Sequence, residues 1–97
     1  MGTPAPVLTL YWREYCHLCH DLLAQLLALR ETLSAEAGGD AAFAIEIRDV
    51  DADPALVARY DELVPVLAAD AGTALEKVLC HYHLNPDAVR AYLAEIR

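Results

Sequence analysis

The sequence predicts one α/β domain spanning residues 1–97, in which a four-stranded mixed sheet is flanked by three helices. Three observations support this prediction. A chain of 97 residues can bury a single hydrophobic core. Segments typical of strands and helices follow one another in the order β-α-β-α-β-β-α. Two cysteines, Cys16 and Cys19, lie where the first strand gives way to the first helix.

The first half of the chain predicts two strands joined by a long helix. Residues 7–12 are rich in β-forming and aromatic side chains, as a buried strand requires. Leucines recur every three or four positions over residues 16–33, which predicts a helix that ends near Gly38-Gly39. Residues 43–50 alternate apolar and polar side chains and predict a second strand. The helical crossover makes these two strands parallel.

The second half predicts a helix, two strands and a final helix. Asp53 and Pro54 supply an N-cap and a first-turn proline for a helix over residues 54–61. Residues 64–69 predict a third strand opened by proline, and residues 75–80 a fourth strand that returns antiparallel after a tight turn. The last helix begins at Asn85-Pro86-Asp87, and its apolar positions are Val89, Tyr92, Leu93 and Ile96.

Composition restricts the partners and the compartment. With a net charge of −8 and no basic stripe, the chain is unsuited to nucleic acid. No apolar run approaches the roughly 20 residues of a membrane helix, and the N-terminus lacks the features of a signal peptide. Three cysteines, an odd number, favour a reducing compartment. We therefore expect a cytoplasmic protein that has neither nucleic acid nor a membrane as partner.

The spacing of Cys16 and Cys19 carries the main chemical prediction. Two intervening residues let the sulfurs meet where the backbone enters the first turn of a helix, so a disulfide between them can open and close reversibly. The positive end of the helix dipole also favours a thiolate over a thiol. We interpret the pair as a redox dithiol, in which the outer Cys16 is the nucleophile and the inner Cys19 the resolving thiol.

Beyond this pair, the chain resembles the thioredoxin fold, and its compact form resembles the glutaredoxin-like branch. The likeness covers nearly the whole chain. The motifs that carry it are Cys16-His17-Leu18-Cys19, Val64-Pro65, and Val50-Asp51-Ala52-Asp53-Pro54 with Tyr60. The resemblance implies a thiol-disulfide oxidoreductase that acts on protein disulfides.

The resemblance also implies the substrate-binding residues. It predicts a cis peptide bond between Val64 and Pro65 opposite the cysteines, with the amide and carbonyl of Val64 turned toward an extended substrate. Arg13 stands where many glutaredoxins have a lysine, and its guanidinium suits a carboxylate of glutathione. The alternative for Arg13 is a solvated ion pair with Glu14.

Two residues beside Cys16 are expected to modulate the site. A protonated His17 would favour the Cys16 thiolate, whereas a solvent-facing His17 would have little effect. Glu14 and Asp21 would disfavour the thiolate if they pointed inward. Tyr15, like Trp12, is expected to wall the site by packing.

The sequence leaves open whether glutathione is a co-substrate. Leu63 replaces the threonine that glutathione-using glutaredoxins typically have before Val-Pro, and Cys80-His81-Tyr82-His83 replaces their Gly-Gly-Asp turn. We expect no resident cofactor, with glutathione or a thioredoxin reductase as the candidate electron donors.

Two other classes of function stay open at this point. The cysteines, together with His17, His20, His81 and His83, contain enough ligands for zinc or for an iron-sulfur cluster shared through Cys16. A fourth strand ending at Cys80 would place the later ligands at the opposite end of the sheet, so we predict no metal site. The other alternative is a redox-inactive module that presents the Pro65 edge to a partner.

Overall fold

The structure is a computed structural model that describes residues 5–96. Its elements, in chain order, are β1 (Val7–Trp12), α1 (His17–Glu36), β2 (Ala44–Asp49), a 3₁₀ turn (Val50–Ala52), α2 (Pro54–Tyr60), β3 (Val66–Ala69), β4 (Lys77–His81) and α3 (Pro86–Glu95). The predicted order, the four-stranded mixed sheet and the three helices are confirmed. None of the helices in this described part is long and apolar enough to cross a membrane.

The strands lie in the order β2-β1-β3-β4. Strands β1 and β2 are parallel, as the crossover through α1 requires, whereas β3 is antiparallel to both β1 and β4. Val66 at the start of β3 pairs with Tyr11 near the end of β1 and with His81 at the end of β4. We call this end of the sheet, where Tyr11, Val66 and His81 lie, the cysteine end, because α1 begins next to it.

Helix α1 ends close to the glycines, as predicted, whereas strand β2 differs slightly from its predicted bounds. The helix continues past Leu33 to Glu36 because no glycine or proline interrupts residues 34–36, and it ends just before the two glycines. Gly38 and Gly39 have φ angles of 83° and 102°, a region that L side chains rarely adopt. Strand β2 is shorter than predicted at both ends, because Val50 already opens the 3₁₀ turn that Asp49 caps.

Strand β4 lies later in the chain than predicted. It covers Lys77–His81 rather than residues 75–80. The amide of Glu76 donates to the carbonyl of Thr73 at 3.2 Å, and Leu75 is exposed, so both residues belong to the turn after β3. The pairing between β3 and β4 also shifts its register between Leu67 and Ala68.

The sheet buries side chains on both faces. On one face, Leu8, Leu10 and Leu67 join a cluster with residues from α1 and α3. On the other face, Tyr11, Val66 and Ala68 join a second cluster with Tyr60 of α2. Each fully buried leucine contributes about 1.5–3 kcal/mol. A one-residue slip of β1 would exchange its two faces, so this burial fixes the register.

A buried carboxylate joins the β3–β4 turn to β1 and α2. The side chain of Glu76 is 8% exposed and accepts hydrogen bonds from the Tyr11 and Tyr60 hydroxyls at 2.5 and 2.6 Å. Arg59 and the amide of Gly72 donate to it at 2.8 and 3.1 Å. Desolvation opposes ionisation of Glu76, but these donors outweigh it and lower its pKa.

Glu76→Gln is expected to lower the free energy of unfolding by about 2 kcal/mol at neutral pH, as measured by urea denaturation. The side-chain amide of glutamine replaces one acceptor oxygen with a donor. Every partner in this site is also a donor, so at least one tyrosine hydroxyl or the backbone amide of Gly72 loses its acceptor. Glu95→Gln, at an exposed position, provides the control.

The pH dependence separates this loss from a packing defect. Because the pKa of Glu76 is lowered in the folded protein, its stabilisation is complete above the ordinary glutamate pKa of about 4.3. It is lost as the pH falls through the lower folded value. The difference in the free energy of unfolding between the wild-type protein and Glu76→Gln should therefore disappear at acidic pH. A difference that does not depend on pH would contradict this account.

Candidate active site

Cys16 is the N-cap residue of α1. Its backbone is extended, with φ −90° and ψ 113°, and its sulfur accepts a hydrogen bond from the amide of Cys19, N to Sγ 3.2 Å. Its carbonyl accepts the amide of His20 at 3.2 Å. The sequence predicted Cys16 inside the first turn, whereas the structure places it one position earlier. Its sulfur thus lies against the amide groups at the positive end of the helix.

Cys19 lies behind Cys16 and is fully buried. Burial, followed by a hydrogen bond to Cys16, raises the pKa of the Cys19 thiol to about 12, which the backbone of Arg13 only partly offsets. Both thiols are free, and Cys16 is partly exposed. The pair therefore combines an accessible sulfur with an inaccessible, protonated one.

We expect iodoacetamide to alkylate Cys16 of the reduced protein at neutral pH and to leave Cys19 unmodified. A pKa of about 12 instead of 9.0 lowers the thiolate fraction about a thousandfold, and burial blocks access as well. Peptide mass mapping after timed quenching gives the rates, and the same reaction in denaturant, which labels every cysteine, provides the control. Faster modification of Cys19 would contradict the assigned order.

Arg13 is held by two aspartates. Its Nε donates to both carboxylate oxygens of Asp51 at 3.1 Å, its Nη1 donates to the Asp61 carbonyl at 3.1 Å, and its Nη2 to the Asp61 carboxylate. The hydrogen bonds that the guanidinium donates to Asp61 and then to Asp51 raise its pKa. The expected ion pair with Glu14 is therefore wrong, since the partners of Arg13 are Asp51 and Asp61. Arg13 instead ties the end of β1 to the 3₁₀ turn and to the end of α2. That Arg13 binds a substrate carboxylate stays a prediction.

The residues expected to modulate Cys16 face outward. The side chain of His17 is 93% exposed, and its Nε2 lies 3.7 Å from the carboxylate of Asp21. The solvent-facing alternative is therefore the correct one for His17. Tyr15 is also exposed and donates to Asp51 at 3.4 Å, so the expectation that it walls the site is wrong.

Trp12 packs as predicted. It is partly buried against the main core cluster. Its ring lies 4.6 Å from that of His20, between centroids, at a tilt of 45°. The ring of His20 also bonds to the carbonyl of Glu14, which closes the turn before α1.

The peptide bond between Val64 and Pro65 is cis, as the resemblance implied. The amide of Val64 donates to the carbonyl of Tyr60 at 3.1 Å, and the carbonyl of Pro65 accepts the amide of Tyr82 at 2.9 Å. The expectation that the Val64 amide is free for a substrate is therefore wrong. Only the carbonyl of Val64 could take part in the predicted backbone pairing.

The residues at the end of β4 lie at the cysteine end of the sheet. Cys80 pairs with Leu67 and His81 with Val66, so the expectation that they lie at the opposite end is wrong. The error arises because β4 is antiparallel to β3 and returns to the end where β3 begins. Even so, no three or more His, Cys, Asp or Glu side chains within residues 5–96 are grouped to hold a metal ion. Burial raises the pKa of Cys80, which behaves as a small apolar strand residue.

Tyr82 is a residue of the cysteine end that the sequence did not single out. Its φ of 64° is unusual for a tyrosine, and its hydroxyl donates to the carbonyl of Glu62. It thus joins the end of β4 to the loop before Pro65. No pattern in the sequence predicts a tyrosine in the left-handed backbone conformation. The partner of Arg13 was easier to find, because Asp51 belongs to a cluster of aspartates within residues 49–53.

Comparisons with known proteins agree with this geometry. A family described as a glutaredoxin-like domain (DUF836) matches residues 7–94. The solution NMR structure of protein Ne2328 from Nitrosomonas europaea is 33% identical, with a TM-score of 0.72 over 95% of each chain. The X-ray structure of a structural genomics target from X. campestris is 32% identical, with a TM-score of 0.58 over 91% of this chain and 96% of the other.

A more distant likeness shows the fold alone. A malarial protein is 11% identical, with a TM-score of 0.57 over 94% of this chain and 96% of its own. Among curated proteins, none matches this chain.

Proposed function

Because the chain belongs to the glutaredoxin-like domain family, we propose that it is a thiol-disulfide oxidoreductase whose redox centre is Cys16-His17-Leu18-Cys19. The observation that carries this proposal is the hydrogen bond from the Cys19 amide to the Cys16 sulfur at 3.2 Å. It holds a partly exposed sulfur at the positive end of a helix, directly in front of a buried second thiol.

In the first step, the thiolate of Cys16 attacks one sulfur of a substrate disulfide. The other substrate sulfur leaves as a thiolate and takes up a proton, and a mixed disulfide joins Cys16 to the substrate. Cys19 then loses its proton and attacks the Cys16 sulfur. The second substrate thiol leaves, so the substrate gains the two electrons that the cysteine pair gives up as it forms its own disulfide.

The raised pKa of Cys19 suits this order of events. Burial is its main cause, and the hydrogen bond and charge of Cys16 add to it. Once Cys16 is bonded to substrate, its sulfur carries no negative charge, so the contribution from that charge disappears. Cys19 therefore ionises more readily after the mixed disulfide has formed than before.

We propose a protein disulfide as the substrate and the cytoplasm as the compartment, where the thiols stay reduced. The guanidinium of Arg13 already binds two aspartates, which argues against a glutathione carboxylate at this position. Glutathione or a thioredoxin reductase remains the proposed source of electrons, and the two exchange steps need no resident cofactor.

Redox titration against dithiothreitol should show a reversible two-electron disulfide between Cys16 and Cys19. Cys16→Ser is expected to abolish reduction of a model protein disulfide, whereas Cys19→Ser should accumulate a mixed disulfide with the substrate. Cys80→Ser is the matched control and should retain activity. The idea is falsified if Cys16→Ser stays active, and a pair that never forms a disulfide would instead support a redox-inactive binding module.

Arg13→Gln tests whether Arg13 binds substrate or holds the fold. Loss of its bonds to Asp51 and Asp61 should lower the melting temperature. The relative rates with a glutathionylated and an ordinary disulfide substrate should not change. Lys77→Gln removes an exposed charge elsewhere and controls for net charge. A selective loss of activity on the glutathionylated substrate would restore Arg13 as a carboxylate ligand.

A further inference from the structure

Strand β2 is an edge strand with an exposed apolar side chain. Within residues 5–96 it has a neighbour on one side only, which is β1. Ile47 pairs in register with the fully buried Leu10, yet 42% of Ile47 is exposed. A strand that leaves backbone groups unpaired next to an apolar side chain can pair with another chain.

The backbone of β2 presents every second residue to this free edge. The amide of Ala44 donates to the carbonyl of Pro6 at 2.8 Å, so the hydrogen-bonding groups of Ala44 face β1. These groups alternate in direction along a strand of a parallel pair. The amides and carbonyls of Ile45, Ile47 and Asp49 therefore face away from β1.

The side chains of β2 complement a second copy in one antiparallel register. If a two-fold axis passes through Ile47, this residue lies opposite its own counterpart, and their amides and carbonyls form two hydrogen bonds. Ile45 of each copy then exchanges two bonds with Asp49 of the other. Glu46 of each copy lies opposite Arg48 of the other, so opposite charges meet twice.

The charges also exclude the neighbouring symmetric registers. An axis through Glu46 or through Arg48 would place two like charges directly opposite each other. Charged residues prevent edge strands from pairing with another chain when like charges lie opposite each other. Glu46 and Arg48 carry opposite charges, so this edge is complementary to the same edge of a second copy. Within one copy the two side chains already form an ion pair, so they lie on the same face of the strand.

We propose that two copies of this chain associate through β2 in the register centred on Ile47 and form one continuous eight-stranded sheet. Because β2 is parallel to β1, the antiparallel pairing places the two cysteine ends at opposite ends of that sheet. Neither Cys16 is covered. Association and disulfide exchange are therefore independent, and failure of one leaves the other standing.

Sedimentation velocity over a dilution series tests the proposal with the full chain. Two copies of net charge −8 repel each other, so the salt is set near 0.15 M, where the Debye length is about 8 Å. The wild-type protein should show a monomer–dimer equilibrium. Glu46→Arg and Arg48→Glu should each raise the dissociation constant about tenfold or more, since each places like charges opposite each other twice. The double variant should restore the wild-type constant.

Matched charge changes at another surface provide the controls. Lys77→Glu and Glu95→Arg alter net charge by the same amounts on β4 and α3, and should leave the dissociation constant unchanged. Ile47→Lys, which brings two ammonium groups together at the axis, should abolish the dimer while circular dichroism shows the fold intact. A wild-type protein that is monomeric at every concentration, or a double variant as weak as the single ones, would overturn the proposal.

Discussion

The hydrogen bond between the Cys19 amide and the Cys16 sulfur sets the geometry of the cysteine end. Helix α1 is fixed against the sheet by Leu22 and Leu26, so its first turn is a rigid support for the capping residue. A serine or an aspartate would cap this helix at least as well as a cysteine. Helix stability therefore does not account for a sulfur at this position, which supports the nucleophilic role proposed for Cys16.

Around this cap, the loops are held by two groups that the sequence assigned to substrate binding, the guanidinium of Arg13 and the amide of Val64. Arg13 binds Asp51 and Asp61, and the amide of Val64 bonds within its own loop. The guanidinium of Arg13 and the amide of Val64 thus already have partners within the chain. For the proposed function, this favours recognition through the shape and backbone of a protein partner over recognition through a charged group of a small thiol.

Periodicity and capping residues were enough to predict the element order, because strand and helix burial leave regular apolar patterns in β1 and α1. The cysteine pair and the cis proline could also be predicted, since short motifs carry them. The contacts of Arg13 and Glu76 could not, because their partners are distant in sequence or hidden in a turn. For the same reason β4 was placed too early: Glu76 looks like a strand residue until its buried partners are known.

The ring contact between Trp12 and His20 has a practical consequence. Trp12 is the only tryptophan of the chain, and its neighbour His20 follows Cys19 directly in the first turn of α1. A change in that turn when the two sulfurs join would move the imidazole against the indole. If the proposed disulfide forms, the emission of Trp12 would therefore report the state of the cysteines without any attached dye.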